Sequence, residues 1–415
     1  MNTRKLKGEQ IAKTMQIKRE GLDKWLVPSQ SGNGTYVVNR IGENFKCGCP
    51  DFQNRGQACK HIYAVEIKVL RWVDSQGNSG TEVTITKRMS YPQMWHEYTA
   101  SQINEGRIFH ELLKDLVENI PEEPYTFGRP KVPLKTAVYC AIDKVYSMQS
   151  SRRAHSHYKE AEAKQQIGKA PNYNMINKRL NDIEITPILH ELLHITAMPL
   201  KSVETKFSPD STGFRTSRFS DYCEQKHGTK RQHKWIKCHA ITGNTTNIVV
   251  SAVITDENGA DSPQFVPLVQ DVANLGFTIG DVTADKGYSA IANYNAVQEV
   301  GGQAYIPFKS NATGTVYSGN KARLWRKMFH YFQLNNDEFM EHYHNRSNVE
   351  TTFHAIKAKL GDAVKSKNYV AQANEVLCKL IAYNITVLIN AMYELKIEPN
   401  LFPSSSVPVP ALGNS

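Results

Sequence analysis

The chain has 415 residues, of which 40% are hydrophobic and 22% charged, with a formal net charge of +10 and a pI near 9.1. That length exceeds one typical domain, so two or three are expected, and the basic balance suits a polyanionic partner without naming one. No apolar run of about 18 residues is read, so no membrane span is expected, and the charged start MNTRKLKGEQIAKTMQIKRE lacks the apolar core of a secretory signal. From both features a cytoplasmic protein is expected.

In chain order, residues 1–24 read as a basic helix. Apolar alternation from Trp25 to Phe45 around SGNG then predicts a hairpin. A cysteine cluster follows, then a helix from His61 to Val73 and the linker DSQGNSG at 74–80. Residues 92–200 are mostly helical, broken at 120–133 and near Pro171. From Val203 the pattern changes. KWIKCHAIT and TNIVVSAVIT read as paired strands joined by Gly243 and Asn244, and a helix starts near Pro263. TIGDVTADKGY is a strand ending in a turn, followed by a helix, the short strand AYIPF and a long helix from Phe339 to Leu360. Strands alternating with helices argue for an α/β core in the second half. The tail FPSSSVPVPALGNS is rich in Pro and Ser and expected to be unfolded.

Of seven cysteines, three fall within thirteen residues beside a histidine, as Cys47-Gly48-Cys49 and Cys59-Lys60-His61. Three thiolates and one imidazole are ligands that zinc prefers, and four ligands close a tetrahedral, structural site with no position for water. A module of about seventy residues has little core, so metal binding would supply the missing folding energy. Buried cysteines gathered by chance are the bland alternative. Cys140, Cys223, Cys238 and Cys378 are scattered and read as packing residues. The Cys-x-Cys…Cys-x-His order with Pro-Asp-Phe after the second Cys resembles the SWIM zinc finger over about residues 25–70. That resemblance implies a DNA- or protein-binding module.

In HYHNRSNVETTFHAIKAKLGD, residues Tyr343, Arg346, Glu350 and Lys357 have offsets of 0, 3, 7 and 14. At about 100° per residue they lie within about 60° on one helix face. An acid flanked by two cations and a phenol suits phosphate chemistry, because the carboxylate can hold a divalent metal and the cations can meet the DNA backbone. Taken alone, Arg346 and Glu350 also read as an ordinary i,i+4 surface pair. Asp210, in SPDSTGF, is read at the end of a short strand, and Asp285, in TADKGY, at the end of another. Either aspartate alone is a plain turn residue. Together with Glu350 they can converge on a pair of Mg²⁺ ions for in-line phosphoryl displacement.

The spacing Tyr-x2-Arg-x3-Glu-x6-Lys, preceded by Asp210 in a D-S-T setting and Asp285 in D-K-G-Y, resembles the signature of a large group of insertion-sequence DDE transposases. The resemblance covers about residues 120–395, including GRP at 128–130. It implies an RNase H-like core of mixed sheet flanked by helices. Asp210, Asp285 and Glu350 would be the catalytic ligands of Mg²⁺ or Mn²⁺, Arg346 and Lys357 would contact element-end DNA, and Tyr343 would support the site. It also implies cleavage at element ends, attack of the freed 3′-hydroxyl on target DNA, and a homodimer, since two ends are cut together. Relatives with a long β-rich insertion use a DNA-hairpin intermediate. Only 64 residues separate Asp285 from Glu350, too few for that insertion.

The expected organisation is a zinc module at 1–75, a helical and DNA-binding segment at 90–200, a catalytic domain at 201–395 and a disordered tail at 396–415. The cation-rich stretch 215–239, with interleaved aromatics, is a candidate DNA-channel segment, and SSRR at 150–153 is read as ending a helix. Two rival functions stand beside the transposase. One is a domesticated, catalytically dead relative that only binds DNA. The other is a zinc metalloprotease through His190-Glu191-x-x-His194 in a helical setting, with Glu204 the nearest downstream acid.

Overall fold

The computed structural model describes residues 3–21, 24–30, 34–41, 44–73, 79–83, 94–122, 124, 127–128, 131–216, 235–313 and 319–402. Most of the tail, most of the 215–239 segment and Arg129-Pro130 of the GRP motif therefore lie outside the described residues. The chain divides into two compact units, Met1–Pro92 and Gln93–Ser415.

The first unit opens with helix α1 (Thr3–Thr14) and a four-stranded antiparallel sheet, β1 (Lys18–Gly21), β2 (Lys24–Pro28), β3 (Thr35–Ile41) and β4 (Asn44–Cys47), paired in chain order. The predicted helix thus stops ten residues early. Lys18 pairs with Leu26 and Arg19 with Trp25, so sheet pairing overrides the helical preference of Lys, Arg and Glu in KREG. Helix α2 (Pro50–Arg55) and α3 (Lys60–Lys68) follow. The stretch that sequence periodicity extends as a helix to Val73 is instead β5 (Val69–Val73), paired with β6 (Ser79–Val83), which takes up the end of the predicted linker. β-branched Val69 and Val73 and aromatic Trp72 favour the strand. The core of this unit is small, built on Ile11, Trp25, Val27, Val38, Ile62 and Val65 around the cysteines.

The second unit begins with five helices, α4 (Trp95–Glu118), α5 (Leu134–Tyr146), α6 (Ser151–Ala163), α7 (Tyr173–Leu180) and α8 (Ile185–Ala197). Ser150-Ser151-Arg152-Arg153 opens α6 and does not end a helix, because Ser150 takes the extended N-cap conformation. Five strands follow as one mixed sheet: β7 (Lys206–Arg215), β8 (Trp235–Gly243), β9 (Val249–Asp256), β10 (Asp281–Thr283) and β11 (Gln303–Tyr305), in spatial order β11-β10-β7-β8-β9. β7, β8 and β9 form an antiparallel meander, while β10 runs parallel to β7 and β11 parallel to β10. Parallel strands need crossovers, supplied by α9 (Ser262–Asn274) and α10 (Ile291–Glu299). Residues Cys238–Gly243 of β8 are buried without alternation, which requires cover on both faces. This is the mixed sheet flanked by helices expected of the RNase H-like core.

The predicted long helix from Phe339 to Leu360 is broken. It comprises α12 (Asn336–Tyr343), a 3-10 turn at His344–Arg346 and α13 (Ser347–Leu360), after a further helix α11 (Arg323–Leu334). Asn345 donates from Nδ2 to the His342 carbonyl at 3.1 Å and Ser347 from Oγ to the His344 carbonyl at 3.0 Å. Such local side-chain bonds compete with the α-helical ladder. Gly361, with φ of +79°, ends α13 in a conformation that favours glycine.

The last helix, α14 (Tyr369–Glu394), packs against α4, α5, α8 and β9, so one hydrophobic core spans the helices and the sheet. It is long and apolar enough to cross a membrane, which the sequence reading missed, but 83% of its most apolar window is buried inside the unit. Its Asn384 reaches the sheet. Oδ1 accepts from the Val249 N–H at 3.0 Å, and Nδ2 donates to the Val249 carbonyl at 2.7 Å and to Thr196 Oγ1 at 2.9 Å. Each of those buried partners would cost about 1–3 kcal/mol if left unmet.

Candidate catalytic and metal sites

Cys47 closes β4, Cys49 is the N-cap of α2, Cys59 precedes α3 and His61 lies in the first turn of α3. Gly48 pins the first pair by donating its N–H to the Val37 carbonyl at 2.9 Å, and Gly56, at φ of +64°, turns the chain back after α2. The four ligand atoms lie within 4.8 Å of one another, and all four residues are buried. His61 Nδ1 stands 3.8 Å from both Cys47 Sγ and Cys59 Sγ. A tetrahedron with metal–ligand bonds of about 2.0–2.3 Å has edges of about 3.3–3.8 Å, so these separations need little closure to hold zinc. The Cys59 thiol is drawn down to about 4 by its hydrogen bond with Cys47, against the effect of burial, and Cys47 is pushed up in return. Cys59 is thus the thiol held toward the thiolate form, and a bound cation would have to draw the protons from Cys47 and Cys49.

In the second unit, the acids are positioned by a divergence of strands. β10 pairs with β7 only at Lys206 and Phe207, and the last tie between them is the 2.6 Å bond of Ser208 Oγ to Thr283 Oγ1. Asp210 and Asp285 each stand two residues beyond that tie, and two residues is the repeat that returns a strand to the same face. They border the crevice that opens at the carboxyl ends of parallel strands. Asp285 follows β10 as the N-cap of a 3-10 turn at Lys286–Tyr288, as the sequence indicated. Asp210 differs from expectation. It lies in the middle of the ten-residue β7, opposite Ala240, and not at a strand end. Pro209, Asp210, Ser211 and Gly213 are poor strand formers, but pairing with β8 along its full length overrides their propensity.

Glu350 lies in the first turn of α13, and Arg346 links all three acids. Its Nη1 is 2.8 Å from Glu350 Oε1, and its Nη2 is 3.0 Å from Asp210 Oδ2 and 3.9 Å from Asp285 Oδ2. The carboxylates do not themselves close to metal-ligand spacing: among the described residues the zinc cluster is the one group within 4.8 Å. Three carboxylates around one guanidinium leave a formal charge of −2. Their hard oxygen donors match a divalent cation of the Mg²⁺ or Mn²⁺ type. Asp210 is held above the usual carboxylate range, chiefly by burial, despite the Ser211 N–H and Arg346. Tyr343, the last residue of α12, hydrogen-bonds Arg346, and burial pushes its hydroxyl up.

Lys357 is not part of this cluster. It stands half-buried two turns further along α13, with Nζ 5.6 Å from the Phe214 ring centroid, and its charged neighbours are Asp362 and Arg215. The 3-10 turn separates Tyr343 from the helix bearing Glu350 and Lys357, so the four signature residues do not share one continuous helix face.

Sequence reasoning missed a second polar group beside Asp210. Asp261 Oδ1 lies 2.7 Å from Lys237 Nζ and 3.2 Å from His239 Nδ1, and Asp261 hydrogen-bonds Ser211. Buried Tyr288 is pushed up by burial and by the charges of Asp210, Asp261 and Asp285. Only its place in TADKGY could have drawn notice to it. Among the described residues the rival His-Glu-x-x-His motif gathers no group of three metal ligands. His194 Nδ1 is 4.0 Å from Glu191, and both His190 and His194 are shifted down by burial, as neutral packing residues are. Glu204 serves a turn, accepting from the Thr245 and Thr246 N–H groups at 3.1 and 2.5 Å.

Residues 202–385 match the family described as the transposase DDE domain, and residues 36–70 match the SWIM zinc finger. A solved structure of the piggyBac transposase synaptic complex with hairpin DNA is similar at 9% identity, covering 70% of this chain and 73% of that one, with a TM-score of 0.34. A likeness that remote bears on neither fold nor activity.

Proposed function

We propose that this chain, whose residues 202–385 match the transposase DDE domain, is a DNA transposase that cuts element ends and joins the freed 3′-hydroxyl to target DNA through Asp210, Asp285 and Glu350. The observation that supports this assignment is the meeting of those three acids on Arg346. Asp210 supplies a carboxylate from β7, Asp285 one from the turn that follows the adjacent parallel β10, and Glu350 the third from α13. With Mg²⁺ or Mn²⁺ bound, such a site supplies an activated water or 3′-hydroxyl and a stabilised leaving oxygen. Arg346 orients the acids, Tyr343 holds Arg346, and Lys357 meets the DNA backbone further along α13.

The duplex is the partner, the working form is a homodimer that cuts two ends together, and the zinc module at 36–70 adds a second contact to DNA or protein. Between Asp285 and Glu350 no β-rich insertion is found among the described residues, which favours a route without a DNA hairpin. The test is nicking of an element-end duplex with Mg²⁺ against EDTA, with a peptide substrate in parallel. Metal-dependent DNA cleavage is expected. Duplex binding without cleavage would instead support a domesticated binder, and peptide cleavage the protease.

Arg346 also yields a metal prediction. Replacing it with alanine removes the one cation among three carboxylates, so the DNA-free protein is expected to bind Mn²⁺ more tightly, by about tenfold for roughly 1.4 kcal/mol of relieved competition. Calorimetric titration with Mn²⁺ checks this; unchanged or weaker binding would show that Arg346 does not compete for the acids.

A further inference from the structure

A cavity of about 380 Å³ lies at the C-terminal end of α13, lined among others by Lys144, Ser150, Asp362, Lys365, Glu375 and Lys379. Three lysines face two acids: Asp362 is paired with Arg215, and the charge of Glu375 is shared between Lys144 and Lys379. Glu375 accepts from the N–H groups of Lys365 and Ser366, each at 2.8 Å, and Asp362 pairs with Arg215 at 2.5 Å. Lys379 donates to the Leu360 and Gly361 carbonyls, capping α13. Lys144 is 5% exposed, with Glu375 as its charged neighbour and a long hydrogen bond of 3.4 Å to Asn177 Oδ1, while Lys365 Nζ donates to the Met148 and Gln149 carbonyls at the cavity rim. One acid shared between two buried ammonium groups leaves positive charge uncompensated, and an anion in the cavity would relieve that cost. Helix α6 begins at the cavity edge, where Ser150 leaves the first N–H groups without a side-chain cap and Arg152 and Arg153 follow.

The cavity continues the line of the catalytic helix. Lys357 Nζ and the cavity residue Lys379 Nζ stand 5.6 and 5.8 Å from the same Phe214 ring, which places the cavity next along α13 from Lys357. From Glu350 to Leu360 is about 15 Å along the helix axis, or about four nucleotides at 3.4 Å each. We propose that this cavity is a second phosphate site, which seats a DNA backbone phosphate about four nucleotides from the bond being cut, with Lys144 and Lys365 as its cations. The proposal rests on the transposase reading above.

The test measures duplex affinity of the full chain against salt concentration. In Lys144→Met and, separately, in the surface variant Lys365→Met, the slope of log K on log salt is expected to fall by about 0.9, one phosphate contact. A methylphosphonate at the matching position should weaken the unmodified protein and cost the variants nothing further. If both variants keep the slope while the unmodified chain binds and cuts the duplex, the phosphate site is wrong and the transposase reading stands. Protection of the fold by inorganic phosphate, lost in Lys144→Met, with unchanged DNA slopes would assign the cavity to free phosphate and overturn the DNA contact. If the unmodified chain binds no duplex, both fail together. Lys365→Met keeps the test decisive should the buried substitution prevent folding.

Discussion

Replacing Glu350 with glutamine is expected to lower the single-turnover rate of end cleavage by about a thousandfold or more while duplex affinity stays within about threefold. Glutamine keeps the shape and can still accept from Arg346 Nη1, which now lies 2.8 Å from Glu350 Oε1. What it loses is the negative charge and a metal-binding oxygen. The Glu350 side chain is 58% exposed, so the fold gives up little and the melting temperature should not move. Nicking of a labelled end duplex, with anisotropy for binding, separates the two effects. Cleavage at an undiminished rate would remove Glu350 from the metal site and with it the assignment of the acidic cluster.

Replacing Cys59 with serine is expected to unfold the module of residues 3–73. Structural zinc contributes about 10–16 kcal/mol of apparent binding free energy, whereas whole domains are stable by only about 5–15 kcal/mol. The core around the cysteines is too small to make up the difference. Zinc content after purification should fall to background and protease should cut within the module. Residues 94–402 are the internal control, because their core shares no member with that of the zinc module. Stoichiometric zinc in the variant would show that Cys59 is not a ligand.

The zinc ligands were legible because their chemistry is local: two short spacings carry the whole donor set, and β4, α2 and α3 only bring the pairs together. The pairing of β8 with β9 was legible from their apolar runs and the turn near Gly243. Asp210 was read as a candidate but misplaced, since nothing local in SPDSTGF announces a central strand; its conformation comes from β8, read later in the chain. The break at His344–Arg346 was hidden by a helical period that continues through Asn345 and Ser347, whose side chains bond to the backbone in ways periodicity does not register. The strand at Val69–Val73 was lost for a related reason, because its partner β6 falls where composition reads as a linker. Asp261, His239 and Glu204 carry no motif, and only the tertiary arrangement reveals their roles.

The reach of α14 into the sheet through Asn384 ties two distant stretches of the gene together. While the ribosome is still translating the final helix, the nascent strands that carry Asp210 and Asp285 lack much of their support. A chain cut short before Asn384 would leave the Val249 backbone and the Thr196 hydroxyl without these partners, so it is expected to lose the packed sheet and with it the acidic site.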